Sequence, residues 1–359
     1  MIRGVLRVLC VSSILLGIST SFKLVMTGAP LNNGRPITFK KEARGNLGKA
    51  ISILSAGIAV AGTGLIVQPA NAKVYFDTDT YGDKELKIAT VNKMKQKLRN
   101  SVLQDPSIAP VLFRLALKDA LSFDATSGDG GLDGSILFEL DRAENKDLDK
   151  AVGTILQIKK ELQRTNVVSA SDLIAFGGAE ALETVGSNRV IVQVGRFDAK
   201  AGNKNTQSFD WAAPTDAAVT ETFAKAGLDA REIVLLFAAY GEINRIVDET
   251  IASRKDEEDE DDDSPEFEKY VPTTFGARDA IYGAKMGKAD FGVTYLNQLV
   301  KDSKKGAPID PLGNILLTND KTKAFVTKYA SSKVAFLEDV PEAYLKLTLL
   351  GEAYTTRNS

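Results

Sequence analysis

Histidine is absent from all 359 residues. That excludes an imidazole base, an imidazole metal ligand and a histidine-held haem. Cysteine is nearly absent too: the only one, Cys10, lies in a stretch that reads as a removed leader. Without it the working protein has no disulfide framework, thiolate metal site, iron–sulfur cluster or thiol nucleophile. Strong net charge is also missing; the formal value of −2 gives no footprint for nucleic acid. What is present is ordinary. With 44% hydrophobic and 26% charged residues, the chain can build one large core or two smaller ones.

The first 72 residues read as addresses. Arg3 and Arg7 flank the short apolar run Val8 to Ile18, followed by small residues up to Ser21, which describes a signal peptide over 1–21. Residues 22–49 are basic-rich, with Lys23, Arg35, Lys40, Lys41, Arg44 and Lys49 against Glu42 alone, the bias of a plastid transit segment. Residues 50–72 begin with an uncharged run from Ala50 to Pro69 and end in Ala70-Asn71-Ala72, a peptidase site. The run is long enough to span a bilayer, but the adjoining site favours cleavage and a mature chain from Lys73. The series resembles the leader of a thylakoid-lumen protein in an alga with a secondary plastid, where a phenylalanine such as Phe22 follows the first cleavage. Removing its eight basic residues and one acid from totals of 45 and 47 leaves 37 and 46, a net charge of −9. No lipid anchor is expected in that acidic mature chain, and no affinity for anionic lipid.

Residues 73–359 read as one mostly α domain with very little β. Apolar spacing predicts helices over Leu86–Asp105, Ile108–Leu121, Leu148–Leu162, Ser169–Glu183, Ala217–Ala226 and Arg231–Thr250. Further helices are predicted over Phe291–Asp302, Asp320–Lys328 and Val334–Leu349. Ser169 and Ser171 both suit an N-cap. The β-branched run Arg189–Val194 predicts the one strand. Eight consecutive acids, Asp256 to Asp263, predict an exposed loop over 255–265. Within it Asp256, Asp259 and Asp261 are weak calcium candidates, since carboxylates are hard oxygen ligands. The run lacks the spaced ligands and glycine of an EF-hand, and no other metal site is expected.

Five stretches in order carry a resemblance. A-P-V-L-F-R-L-A-L-K-D (Ala109–Asp119) is similar to the distal helix of plant-type haem peroxidases, above all ascorbate peroxidase. G-G-L-D-G-S (Gly130–Ser135), the Ser171–Glu183 helix and V-Q-V-G-R-F-D (Val192–Asp198) resemble successive family motifs. L-D-A-R-E-I-V-L-L-F-A-A-Y-G (Leu228–Gly241) resembles the proximal helix, and Leu317–Leu350 fits the family's C-terminal stretch. The resemblance implies a plant-type haem-peroxidase fold.

In that family a proximal histidine binds haem iron and an aspartate holds its other nitrogen. A distal histidine moves the peroxide proton while an arginine stabilises developing charge. Arg114 matches the arginine, and Asn145 matches the asparagine that orients the distal histidine. Lys118 stands at the distal histidine, Leu117 at its aromatic neighbour, Tyr240 at the proximal histidine and Gly292 near the aspartate; Trp211 is not at the proximal tryptophan. An ordinary lysine, pKa about 10.4, is not a peroxide base at about pH 6. Lys118 is therefore expected as a solvated or salt-bridged residue in a collapsed pocket. Tyr240 is expected to fill space left by haem, although catalases bind iron through a tyrosinate.

The expected protein is a pseudo-enzyme without catalytic residues or cofactor, a structural or binding subunit of the thylakoid lumen. The resemblance implies association with a photosystem, photosystem II favoured, through a membrane protein complex. The alternatives are a haem peroxidase with atypical Tyr240 ligation acting on hydrogen peroxide, and a cation buffer working through the acidic run.

Overall fold

The computed structural model describes residues 84–163, 167–203, 209–260, 286 and 290–351. The three leader segments lie outside these residues, as do Asp261 to Pro265. Contacts divide the chain after Thr63, and every described residue belongs to the second unit.

Ten α-helices make up that unit's described part. They are α1 (Lys84–Gln104), α2 (Ile108–Ala120), α3 (Asp149–Leu162), α4 (Ala170–Thr184) and α5 (Asp216–Lys225). The later ones are α6 (Ala230–Glu260), α7 (Thr294–Lys305), α8 (Pro311–Thr318), α9 (Asp320–Ala330) and α10 (Lys333–Thr348). Two short 3₁₀ turns, Ser135–Phe138 and Ala143–Leu148, join α2 to α3. The fold class is the expected one, mostly helical with almost no β. None of the described helices is long and apolar enough to cross a membrane.

Burial explains the layering. Both α2 and α4 are buried nearly all round, and they pack on each other. α1 covers α4 on one side, while α6 forms a second centre that meets α2, α5 and α7 to α10. Local chemistry fixes the ends. Ser169, not Ser171, caps α4 by accepting from the Asp172 N–H, and Thr215, Asp310, Asn319 and Ser332 cap α5, α8, α9 and α10 the same way.

A buried quartet of charges clasps α1 to α4. Lys95 lies 3.1 Å from Glu180 and 3.0 Å from Glu183, and Arg99 reaches the same two acids at 2.8 and 3.0 Å. The glycine turn is fastened from inside: Asp119 accepts from the N–H groups of Gly134 (2.8 Å) and Ile136 (3.1 Å). At Gly131, φ is 111° and any Cβ would lie 2.3 Å from the Leu350 carbonyl oxygen, so only glycine fits.

Three expectations are corrected. Arg189–Val194 is not a strand: it pairs with no other segment, and the described residues contain only an isolated bridge between Asp124 and Asp129. The acidic run is not a loop throughout, because α6 continues through Asp256 to Glu260. Adding residues to an existing helix avoids the nucleation cost, which offsets like-charge repulsion along the run. Helix α8 was not expected; its signal is the pair Asp310-Pro311, a cap followed by proline at N1.

Tyr344 gives the core its tightest test. Its ring stacks on Phe113 at 5.5 Å and its hydroxyl donates to the Ala175 carbonyl at 2.8 Å. A Cβ on Gly178 would lie 2.1 Å from that hydroxyl oxygen. Gly178→Ala is expected to destabilise the protein by about 1–3 kcal/mol through overpacking, despite alanine's better helix propensity. Urea denaturation of the two forms measures it; equal or greater stability of the alanine form would contradict the packing described.

Candidate functional site

Lys118 and Arg114 lie one turn apart on α2, and both face the 3₁₀ turn Ala143–Leu148. Lys118 is only 1% exposed, so its side chain is not solvated. Its Nζ donates to Asn145 Oδ1 at 3.0 Å and to the backbone carbonyl of Glu144. Asn145 is buried too, and its Nδ2 donates to the Glu139 carbonyl at 3.0 Å, which fixes which way the amide points. The residue matching the family's orienting asparagine therefore does orient the residue at the distal position, but that residue is an ammonium. Arg114 pairs with Asp147 on the same turn.

Burial lowers the Lys118 pKa to about 8, opposed by the Asp147 carboxylate and reinforced by the Arg114 cation. The sign for stability follows. Below about pH 8 the amine is charged whether folded or unfolded, and the native state bears the full cost of burying it. Between about 8 and the ordinary value of 10.5 only the unfolded chain holds the proton, so this group makes stability rise with pH. Carbon-13 dimethylation followed by NMR should show one lysine titrating near 8, and that signal should vanish in Lys118→Met. A spectrum in which every lysine titrates above 10 would contradict this burial.

On the other side, Tyr240 belongs to α6 and is half-buried in an aromatic cluster. Its ring stacks on Phe113 of α2 (6.5 Å, 16°) and meets Trp211 edge-on (5.8 Å, 73°). Trp211 also packs against Phe209 at 5.3 Å and Phe237 at 5.7 Å. The segment carrying Trp211 brings Asp210 within electrostatic reach of Lys118, so one loop touches both sides of the site. Arg245, the cation nearest in sequence, is held by Glu242 (2.8 Å) and Glu249 (2.6 Å). Glu242 is fully buried and also accepts from the N–H groups of Gly292 (3.1 Å) and Tyr295 (2.9 Å), which ties the start of α7 to α6. At Gly292 a Cβ would lie 3.0 Å from Lys333 Cε.

These residues do not fit a haem iron. α6 carries no imidazole, and the position nearest the expected partner aspartate is a glycine, Gly292. A tyrosinate ligand needs a cation beside the phenol, and Arg245 is already held by two carboxylates. On the distal side Lys118 is held by Asn145 and Glu144 and Arg114 pairs with Asp147, while the buried Arg114 Nε has no hydrogen-bond partner among the described residues. Asp147, Glu144, Asp210 and Phe113 were not singled out in the sequence; each acts across tens of residues, with no local spacing to flag it. Asp256 and Asp259 stand three apart on the last turns of α6, and Asp261 lies outside the described residues. Among the described residues no group of three acidic, histidine or cysteine side chains could hold a metal ion.

Comparison with known proteins bears on the family and the fold. A family profile described as peroxidase matches residues 93–332. The cytosolic L-ascorbate peroxidase 1 of Oryza sativa subsp. japonica is 29% identical over 266 residues, covering 73% of this chain and 93% of the relative. The chloroplastic thylakoid lumenal 29 kDa protein of Arabidopsis thaliana is 25% identical over 231 residues, covering 55% of this chain and 65% of that protein. Among solved structures, the TL29 protein from Arabidopsis thaliana superposes with a TM-score of 0.51 at 19% identity, covering 76% of this chain and 97% of that one.

Proposed function

This chain belongs to the peroxidase family, and from that premise we propose that it is a haem-less member of it. In this reading it is a structural or binding subunit of the thylakoid lumen, attached to a photosystem complex, with photosystem II favoured. The carrying observation is the residue at the distal histidine's position: a buried Lys118, in place of an imidazole, that donates to Asn145 and Glu144. A site built to bind peroxide keeps such donors available for the charge that develops in the reaction. Here the Lys118 amine holds the fold together instead. The lumenal address is supported by Ala70-Asn71-Ala72 and by a lumenal relative in Arabidopsis thaliana. The secondary-plastid address rests on Phe22 and the order of the leader segments.

Attachment, in this reading, is to protein and is partly electrostatic. The run Asp256 to Asp263 is the densest charge in the chain, suited to a lysine-rich lumenal surface. Exposed pairs contribute about 0–1 kcal/mol each and are screened within about 8–10 Å. The protein should therefore co-migrate with a thylakoid complex at low salt and leave it as salt rises. Replacing the eight acids by their amides should loosen attachment without unfolding α6. A protein free of every thylakoid complex at low salt, or one whose co-migration ignores the replacement, would overturn this reading.

A further inference from the structure

A slot of about 360 Å³ lies between α1, α3 and the start of α2, within the size range of small-molecule sites, and none of the residues of the site above lines it. Helical spacing builds it. On α1, Asn100, Ser101 and Gln104 share one face, and on α3 Thr154 and Gln157 do the same, so two polar stripes line the slot. Buried Ile108 and Ile158 form its floor. Ion pairs join the walls at either end, Lys97 to Glu161 at 2.5 Å and Lys150 to Asp105 at 2.5 Å. The walls are therefore already in place, and little order has to be gained on binding.

The donors and acceptors define what fits. The two cations and two carboxylates that line the slot neutralise each other in pairs, so no charge is left over for an ion. The other polar groups are amides and hydroxyls. The Asn100 and Gln104 amides make no hydrogen bond among the described residues. Gln157 spends one N–H on Glu161 at 3.2 Å and keeps its carbonyl. Ser101 and Thr154 donate to the Lys97 and Lys150 carbonyls, which leaves their oxygens as acceptors. Donors and acceptors so mixed match alcohol groups, each of which both donates and accepts. Gly153 is a second, independent sign. It stands inside α3 four residues before Gln157, so it borders the same stripe, and a Cβ there would meet nothing within 4 Å. Packing does not demand a glycine there and helix propensity opposes one, whereas a bare backbone at the rim lets a ligand come close.

We propose that this slot binds a neutral polyhydroxylated ligand, a sugar unit that is either free or the head of a glycosylated lipid. The inference stands apart from whether the protein holds haem. No aromatic ring lines the slot, so the expected Kd is millimolar and the hydrogen bonds supply the selectivity.

Side-chain amide signals of the nitrogen-15-labelled protein test this, those of Asn100, Gln104 and Gln157 being assigned by their loss in single leucine variants. Titration with methyl β-galactoside and methyl α-glucoside is expected to shift all three saturably, while inorganic phosphate at matched ionic strength shifts none. Nanodiscs carrying a glycosylated lipid separate the two sources: a free ligand gives the shifts with the glycosides, a lipid head with the nanodiscs alone. The double variant Asn100→Leu with Gln104→Leu should weaken binding at least about tenfold, and unchanged far-ultraviolet circular dichroism shows that it folds. No saturable shift with nanodiscs or with glycosides at about 100 mM overturns the proposal. So does a site that phosphate fills, or binding indifferent to the double variant.

Discussion

Haemin titrated into the purified protein is expected to give no stoichiometric complex and no tyrosinate-type absorption. The reason is arrangement as much as absence. Tyr240 is held between Phe113 and Trp211, and Arg245 is bound to Glu242 and Glu249. Tyr240→His alone should leave peroxidase turnover near background even where some haem is taken up. The distal base is still missing, and positioned proton transfer contributes about 10²–10⁴-fold. Adding Lys118→His should help, because Asn145 Oδ1 already points at that position. Tight one-to-one haem uptake by the unaltered protein, with peroxide turnover, would refute the haem-less reading.

Trp211→Ala is expected to cost about 3–5 kcal/mol, the usual range for deleting a large buried aromatic. The ring is 9% exposed and joins Phe209, Phe237 and Tyr240 in one cluster, so its removal leaves a cavity that three rigid rings close poorly. At about 2–4 °C per kcal/mol for a chain of this size, the melting temperature should fall by roughly 10 °C. Trp211→Phe keeps most of the contact and should lose less than half as much. Thermal denaturation followed by circular dichroism decides; a fall of under about 2 °C for the alanine form would mean that Trp211 does not fill the site.

Helices α2, α4 and α6 were readable because their apolar spacing is local and long. Arg189–Val194 was misread for the opposite reason: its β-branched residues report a local preference, whereas a strand exists only if a distant segment comes to pair. The acidic run was judged on repulsion alone, without the packed helix from which it propagates. At the site, Arg114, Lys118, Asn145 and Tyr240 were all named in advance, and the sequence located them. Their contacts were not readable. The bond from Lys118 to Asn145 spans 27 residues, and the Glu144 carbonyl that completes it is backbone, which no residue type announces.

The charge quartet between α1 and α4 has a bearing on alignment of the two helices. Lys95 and Arg99 are one turn apart, and so are Glu180 and Glu183. Apolar faces alone would allow α1 to slide along α4 by a turn with little loss of buried area. With the quartet in place, such a slide would strand one cation and one carboxylate in the interior, where an unpaired charge costs several kcal/mol. The four charges thus act as a vernier: they contribute little to how strongly the helices adhere and nearly everything to where along each other they stop.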